Sequence, residues 1–115
     1  YKQLSVKTGI QIGINSFGKG LALFHYGSIV VNGTARFGDF CVVQSDVNVS
    51  AGVQGGNEIY IAPGAKILEN VVIADNVIIG ANAVICKDIN EPHTSWGGVP
   101  AKKISNKGFI FNVRT

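Results

Sequence analysis

The chain has 115 residues, 46% of them hydrophobic and 15% charged, which predicts one folded domain and excludes a disordered protein. Its net charge of +3 is small and its basic residues are scattered, so no nucleic-acid partner is indicated. We expect no membrane span, because no apolar run approaches the roughly 20 residues that a spanning helix needs. Glycine occurs 15 times, about twice its usual share, which favours a fold with frequent corners.

The N-terminal part of the sequence becomes periodic only gradually. Residues 1–9, YKQLSVKTG, carry no repeat, and we expect them to be a lead-in, the end of a preceding segment. From Ile10 a loose repeat of six begins, with a slip of two residues that we assign to VNGTA. The apolar positions of this repeat are Phe17, Leu23 and Ile29 before the slip, and Phe37, Val43 and Val49 after it.

The strictest repeat occupies residues 57–88. Isoleucine recurs there five times at a spacing of six, and another apolar residue stands two positions before each isoleucine. A helix repeats near 3.6 and a strand near 2, so the pattern fits neither alone. It fits a short strand plus a corner, with three such units closing one coil of a triangular β-helix. The isoleucines are Ile61, Ile67, Ile73, Ile79 and Ile85, and the predicted corner residues are Gly64, Asn70, Asp75, Asn76 and Asn82.

The repeat predicts an all-β domain of about four coils over residues 10–88. One stretch within it, SAGVQGGNE, keeps the phase but places Gly55 at a core position, so it is either a weak repeat or a loop of equal length. Residues 89–115 are predicted to be a C-terminal loop and cap. Their first part has the glycines and prolines of a loop, and an apolar run after Ile104 is suited to cover the open edge of the last coil.

The two cysteines are predicted to be reduced. Cys41 and Cys86 are 45 residues apart, about two and a half coils. That spacing separates them by roughly 12 Å along the axis, beyond the roughly 7 Å limit for a disulfide. We expect Cys41 to be a core residue and Cys86 to be partly exposed. Reduced cysteines favour a cytoplasmic protein.

The ladder, the segment GKGLALFHYGSIVVNGTARFG and the ending GGVPAKKI together resemble the hexapeptide-repeat acyltransferases. The resemblance covers about residues 8–104 and is to the branch of serine acetyltransferases and capsular-polysaccharide O-acetyltransferases. It implies a left-handed parallel β-helix, a homotrimer, acetyl-CoA bound at the seam between subunits, and O-acetyl transfer without a metal.

The resemblance assigns the chemistry to His25, in GLALFHYG. A neutral imidazole is suited to remove the proton of an acceptor hydroxyl near pH 7. Where serine acetyltransferases have an acidic partner for this histidine, the sequence has Gln11, and one residue is missing before Phe17. The second histidine of those enzymes is also absent from GVQGGNE. Both departures favour a sugar hydroxyl as acceptor over serine.

The cofactor residues also follow from the resemblance, and two acceptor-site candidates follow from their position relative to His25. Ala81, and Ala62 one coil earlier, correspond to small residues that let the pantetheine arm lie against the coil. Gln44 and Asp46, about one coil after His25, are candidate acceptor-site residues. The remaining predicted cofactor contacts are Cys86, Lys87, Pro100, Ala101, Lys102 and Lys103, of which the lysines would meet phosphates as flexible point charges.

Other readings of the same repeat are weaker. A zinc enzyme on this coil needs three converging histidines, and the chain has only His25 and His93, of which His93 is not expected to be catalytic. An ice-binding β-helix needs a threonine ladder, which the sequence lacks. Trp96 would stack on adenine, on a neighbouring subunit, or on the cap. An inactive homologue kept as a scaffold remains an alternative, because the acidic partner of His25 is lost.

Overall fold

In the computed structural model, residues 3–6, 10–13, 16–24 and 28–108 are described, and within these ranges the chain forms fourteen short strands and no helix. Accordingly, the described ranges hold no helix long and apolar enough to cross a membrane. The strands are β1 Gln3–Val6, β2 Ile10–Gly13, β3 Ala22–Phe24, β4 Ile29–Val31, β5 Val42–Gln44, β6 Asn48–Val49, β7 Gln54–Gly55, β8 Tyr60–Ile61, β9 Lys66–Ile67, β10 Val72–Ile73, β11 Val77–Ile79, β12 Val84–Ile85, β13 Thr94–Gly97 and β14 Lys102–Ser105.

The strands form the three faces of a parallel β-helix, as the repeat predicts. Face 1 has the order β1-β2-β4-β6-β9-β12, and face 2 has the order β14-β13-β11-β8-β5-β3. Face 3 pairs β7 with β10, and single bridges extend it from Arg36 to Gln54 and from Ile73 to Ile89. Every pairing between coils is parallel except at the two ends, where β1 and β14 pair antiparallel.

The core is the stack of inward positions that the six-residue repeat predicts. Val43, Ile61 and Ile79 are partners in successive coils of face 2, and none of them is exposed to solvent. Each such buried aliphatic side chain contributes about 1.5–3 kcal/mol relative to an exposed one. The five isoleucines of the strict repeat are all buried, at 2% exposure or less.

The corners need left-handed backbone, which explains their composition. Gly64, Asn70, Asn76 and Asn82 all have positive φ, in agreement with the prediction. A second column ties one coil to the next, because the N–H of Asp39 donates to Asn57 Oδ1 and the N–H of Asn57 donates to Asp75 Oδ1, each at 2.8 Å. The side chains of Asn57 and Asp75 leave no room for a Cβ on the preceding coil. The residue before each donating N–H is therefore a glycine, Gly38 or Gly56. At Gly38 a Cβ would lie 1.9 Å from Asn57 Oδ1.

The predicted position of the two-residue slip was wrong. Val31 pairs with Val49, eighteen residues later, so the corner through VNGTA has the ordinary length. Leu23, in contrast, pairs with Val43 twenty residues later, which assigns the two extra residues to the connection between Leu23 and Val31. The error arose because Ile29 and Val31 are both buried, so either fits the apolar column.

The ambiguous segment SAGVQGGNE is a regular unit of the β-helix. Gly55 pairs with Ile73, eighteen residues later, in the same register as its neighbours. A side chain at Gly55 would collide with Phe37, since a Cβ there would lie 2.4 Å from Phe37 Cδ2. The ring of Phe37 stacks on Phe17 with centroids 4.7 Å apart. Glycine in this coil therefore compensates for the aromatic pair beside it.

Antiparallel strands cover both ends of the β-helix. At the start, β1 pairs with β2 along the edge of face 1. At the other end, β13 continues face 2 by pairing with β11, and β14 folds back on β13. The stretch that its composition marks as a loop thus contains a strand, because the edge of β11 supplies its hydrogen bonds. Thr94 in β13 is buried and donates its hydroxyl to the carbonyl of Glu91.

Candidate functional site

One edge of the β-helix carries most of the predicted site. At this edge, which we call the 2–1 edge, the chain passes from face 2 to face 1. Backbone hydrogen bonds connect its successive corners: the N–H of Asp46 donates to Ser28 O, that of Gly64 to Ser45 O, and that of Asn82 to Pro63 O, at 2.6, 2.9 and 2.9 Å. The next level is formed by residues 98–101, because Val84 donates to the carbonyl of Gly98 and Ala101 donates to that of Val84.

The corner that carries His25 is the long one. His25 itself lies outside the described residues, but Phe24 and Ser28 on either side of it are described. Phe24 pairs in register with Gln44. The N–H of Ser28 donates to Asp46 Oδ1 at 3.3 Å. The two extra residues therefore lie between Phe24 and Ser28. Both ends of this connection contact the next coil, at Gln44 and Asp46, the two residues predicted for the acceptor site.

Asp46 is held in its corner by several contacts. It has a φ of 60°, its carboxylate accepts from Ser28, and its carbonyl accepts from Lys66 Nζ at 3.1 Å. Lys66 Nζ also donates to Gly64 O at 2.9 Å, so the lysine joins two levels of the 2–1 edge. The geometry favours a structural role for Asp46, which holds its own corner and the adjacent end of the His25 connection together.

Gln44 makes a contact that the sequence did not reveal. Its amide nitrogen Nε2 donates to the phenol oxygen of Tyr60 at 2.7 Å, which joins two neighbouring coils of face 2. Both side chains are half-buried. Tyr60 lies between two core isoleucines in the sequence, Ile59 and Ile61, and the repeat explains those without marking the residue between them. The only available signal is an aromatic residue at an outward-facing position.

Gln11 lies in β2, where it pairs with Val30 of β4. This assigns its backbone to face 1, one coil before β4, which is the strand that the chain reaches after the His25 connection. The unit before Phe17 is also one residue shorter than the unit stacked on it. Five positions separate Ile12 from Phe17, whereas six separate their stacked partners Val31 and Phe37.

Five of the eight predicted cofactor residues line one cavity of about 300 Å³ at the C-terminal end of the β-helix. Its floor is apolar, formed by Ile85, Ile89 and Trp96, and its rim carries two lysines and Asp88. The predicted residues that it brings together are Cys86, Lys87, Pro100, Ala101 and Lys102.

The other three predicted cofactor residues lie outside the cavity lining. Ala62 is buried and Ala81 is exposed, and both lie at the 2–1 edge between the cavity and the His25 connection. Lys103 contacts other groups, because its ammonium lies 3.1 Å from both Glu91 Oε2 and Asn106 Oδ1. The levels of the edge are about 4.8 Å apart, so the four steps from Ser28 to Gly98 span about 19 Å.

Trp96 and His93 belong to the cap. The indole N–H of Trp96 donates to Thr94 Oγ1 at 2.9 Å, and its ring forms part of the cavity floor. His93 lies after face 3, away from the 2–1 edge, with its Nδ1 2.6 Å from the amide nitrogen of Asn76. These contacts favour a structural role for His93.

The two cysteines have opposite surroundings, as predicted. Both are free thiols, with Cys41 buried and Cys86 exposed at the cavity rim. Burial raises the pKa of the Cys41 thiol to about 11. Its sulfur lies 3.7 Å from the carbonyl of Gly38. Cys41 is therefore a neutral core residue at physiological pH.

Comparison with known proteins agrees with this description. Residues 56–87 match the family model described as bacterial transferase hexapeptide (six repeats). The serine acetyltransferase of Synechococcus elongatus is 32% identical over 110 residues, covering 88% of this chain and 45% of the relative. The serine acetyltransferase of Escherichia coli is 33% identical over 113 residues, covering 89% of this chain and 41% of the relative.

The solved structure of serine acetyltransferase from Neisseria gonorrhoeae is similar, with a TM-score of 0.71 at 28% identity over 84% of this chain and 40% of that one. The chain thus spans less than half the length of these relatives. It belongs to the hexapeptide-repeat acyltransferases, and its fold is the left-handed parallel β-helix of that family.

Proposed function

We propose that the protein is an acetyl-CoA-dependent O-acetyltransferase that acts on a hydroxyl of a sugar or of a polysaccharide precursor, with His25 as general base. The observation that carries this proposal is the cavity in which Cys86, Lys87, Pro100, Ala101 and Lys102 meet. These residues come from two segments of the sequence and were each predicted to contact acetyl-CoA.

The cavity has the chemistry that coenzyme A requires. Its apolar floor suits the adenine ring, and the ammonium groups of Lys87 and Lys102 suit the phosphates. The small side chains of Ala81 and Ala62 leave room for the pantetheine arm to follow the 2–1 edge. Lys103 is a weaker candidate than Lys102, because Glu91 already balances its charge.

The proposed reaction needs one proton acceptor and one oxyanion site. The imidazole of His25 removes the proton of the acceptor hydroxyl, and the oxygen attacks the thioester carbonyl. A backbone N–H at the edge would stabilise the oxyanion that forms. Collapse of this intermediate breaks the carbon–sulfur bond, and the thiolate of coenzyme A recovers the proton from the imidazolium. Gln11 would orient His25 by a hydrogen bond without adding charge.

The acceptor class follows from two departures from the serine enzymes. Gln11 replaces the acid, and residues 53–58 form an ordinary unit of the β-helix without the histidine that those enzymes carry there. L-Serine is the second candidate, favoured by the similarity to proteins named serine acetyltransferase at 32–33% identity.

We further propose that the chain works as a homotrimer in the cytoplasm. A β-helix of four coils has little core of its own, which favours association. The free thiols of both cysteines suit a reducing compartment. Light scattering tests the assembly, and a stable monomer of 12.1 kDa that transfers acetyl groups would contradict it.

The test of the reaction is thiol release from acetyl-CoA with L-serine, sugars and nucleotide-sugars as separate acceptors. We expect release with a sugar, and loss of at least about 100-fold in His25→Ala, the usual contribution of a general base. Release with serine alone would replace the sugar by the second candidate. Binding of CoA without release for any acceptor would identify a scaffold homologue.

A further inference from the structure

We propose that Gln44 binds the acceptor through its side-chain carbonyl oxygen, and that Tyr60 is the positioning residue that orients it. This inference rests on the proposed function and extends it by assigning the acceptor contact. It depends on the hydrogen bond in which Gln44 Nε2 donates to the Tyr60 phenol at 2.7 Å.

In this hydrogen bond the amide nitrogen of Gln44 faces the phenol of Tyr60, which accepts. With its nitrogen turned to the phenol, the amide presents its oxygen Oε1 in another direction. Within residues 3–6, 10–13, 16–24 and 28–108, no group donates a hydrogen bond to this oxygen. Gln44 is only half-buried, so a ligand can reach it. A glutamine without such an anchor would sample several rotamers and lose side-chain entropy on binding.

The strand pairing of Gln44 places its backbone beside the residue that precedes the proposed base. Gln44 pairs in register with Phe24, and His25 is the next residue after Phe24. Asp46, two residues further on, anchors Ser28 at the other end of the same connection. Gln44 therefore lies on the coil next to the connection that contains the proposed base, where we expect the acceptor to bind.

The chemistry of the pair suits a saccharide. An amide oxygen accepts a hydrogen bond from a hydroxyl without carrying charge, and Tyr60 adds a ring beside it. An amino-acid acceptor would instead call for charged partners for its ammonium and carboxylate groups. We thus expect Gln44 Oε1 to accept a hydrogen bond from a sugar hydroxyl next to the one that is acetylated.

The test is steady-state kinetics with the preferred sugar acceptor for Tyr60→Phe, Gln44→Leu and the double variant. Each single variant should raise the acceptor KM by about five- to tenfold, the effect of one lost hydrogen bond, and leave the KM for acetyl-CoA unchanged. Because Tyr60 acts through Gln44, the double variant should be no worse than Gln44→Leu alone.

Ser95→Ala is the matched control. Ser95 follows Ile78 in the same outward column of face 2, and its hydroxyl donates to Lys107 O in the cap. Its loss should leave the acceptor KM unchanged. Additive effects in the double variant, or a wild-type acceptor KM in Tyr60→Phe, would overturn the inference while leaving the proposed function intact. A wild type that transfers to no acceptor would overturn both.

Discussion

The two parts of the β-helix differ in how strictly they keep the six-residue repeat. Each six-residue unit has two inward positions, two residues apart. From Ala35 to Ile89 all of these positions are buried, with Gly55 as the one exception. Between Ile12 and Val31, in contrast, one unit is a residue short and the next is two residues long. The regular part forms the core and the cavity, whereas the irregular part carries His25. Both departures from the period therefore lie in the part of the chain that carries the residue proposed as the general base.

The largest effect expected on stability is from truncation in the regular part. Ile61→Ala removes a fully buried side chain between Val43 and Ile79 and should lower the free energy of unfolding by about 2–5 kcal/mol. Leu68→Ala is the control, since Leu68 is 42% exposed and should cost less than about 1 kcal/mol. Urea denaturation of both variants measures the difference. Equal losses would mean that the ladder is not the core.

A smaller effect tests the contact between the two parts. Gly55→Ala puts a methyl group against Phe37, which is stacked on Phe17, and should destabilise by about 1–3 kcal/mol. Phe37→Leu leaves space at the same place, so the double variant should be more stable than the sum of the two losses predicts. Strict additivity by denaturation would show that Gly55 does not compensate for the ring.

The smallest expected effect concerns the buried thiol of the regular part. Burial raises the pKa of Cys41 to about 11 in the folded protein, from its ordinary value of 9.0. Well below pH 9 the thiol is neutral in both the folded and the unfolded state. Above it the unfolded chain ionises first, so stability should fall between pH 9 and 11, by about 1 kcal/mol at pH 10.

Denaturation at pH 8 and pH 10 measures this loss. Cys41→Ala should show a smaller drop than the wild type, whereas Cys86→Ala, at an exposed thiol, should keep the full drop. An identical drop in all three proteins would mean that the Cys41 thiol does not contribute.

The sequence predicts the regular part better than the irregular one, for a physical reason. A period of six requires the same inward positions in every coil, so the core and the left-handed corners such as Asn70 and Asn82 follow directly from it. The slip could not be assigned from the pattern, because Ile29 and Val31 are both buried and only strand register separates them.

The candidate site also has a part that the sequence predicts and a part that it does not. The cofactor residues were predicted from a sequence motif, and the cavity brings five of them together. The contact between Gln44 and Tyr60 could not be predicted, because it joins two outward-facing residues that are sixteen positions apart. Side chains on the outer surface follow no repeat, so their partners depend on rotamers.

The account assigns proton removal to His25 and cofactor binding to the cavity with Lys102. The most direct test of these two roles is thiol release at increasing acetyl-CoA concentration for His25→Ala and Lys102→Ala. The account predicts that Lys102→Ala weakens acetyl-CoA binding and recovers the wild-type rate at saturation, because Lys102 only holds the cofactor. His25→Ala should stay at least about 100-fold slower at every concentration, because the base is missing. A His25→Ala protein that reaches the wild-type rate at saturation would contradict the account.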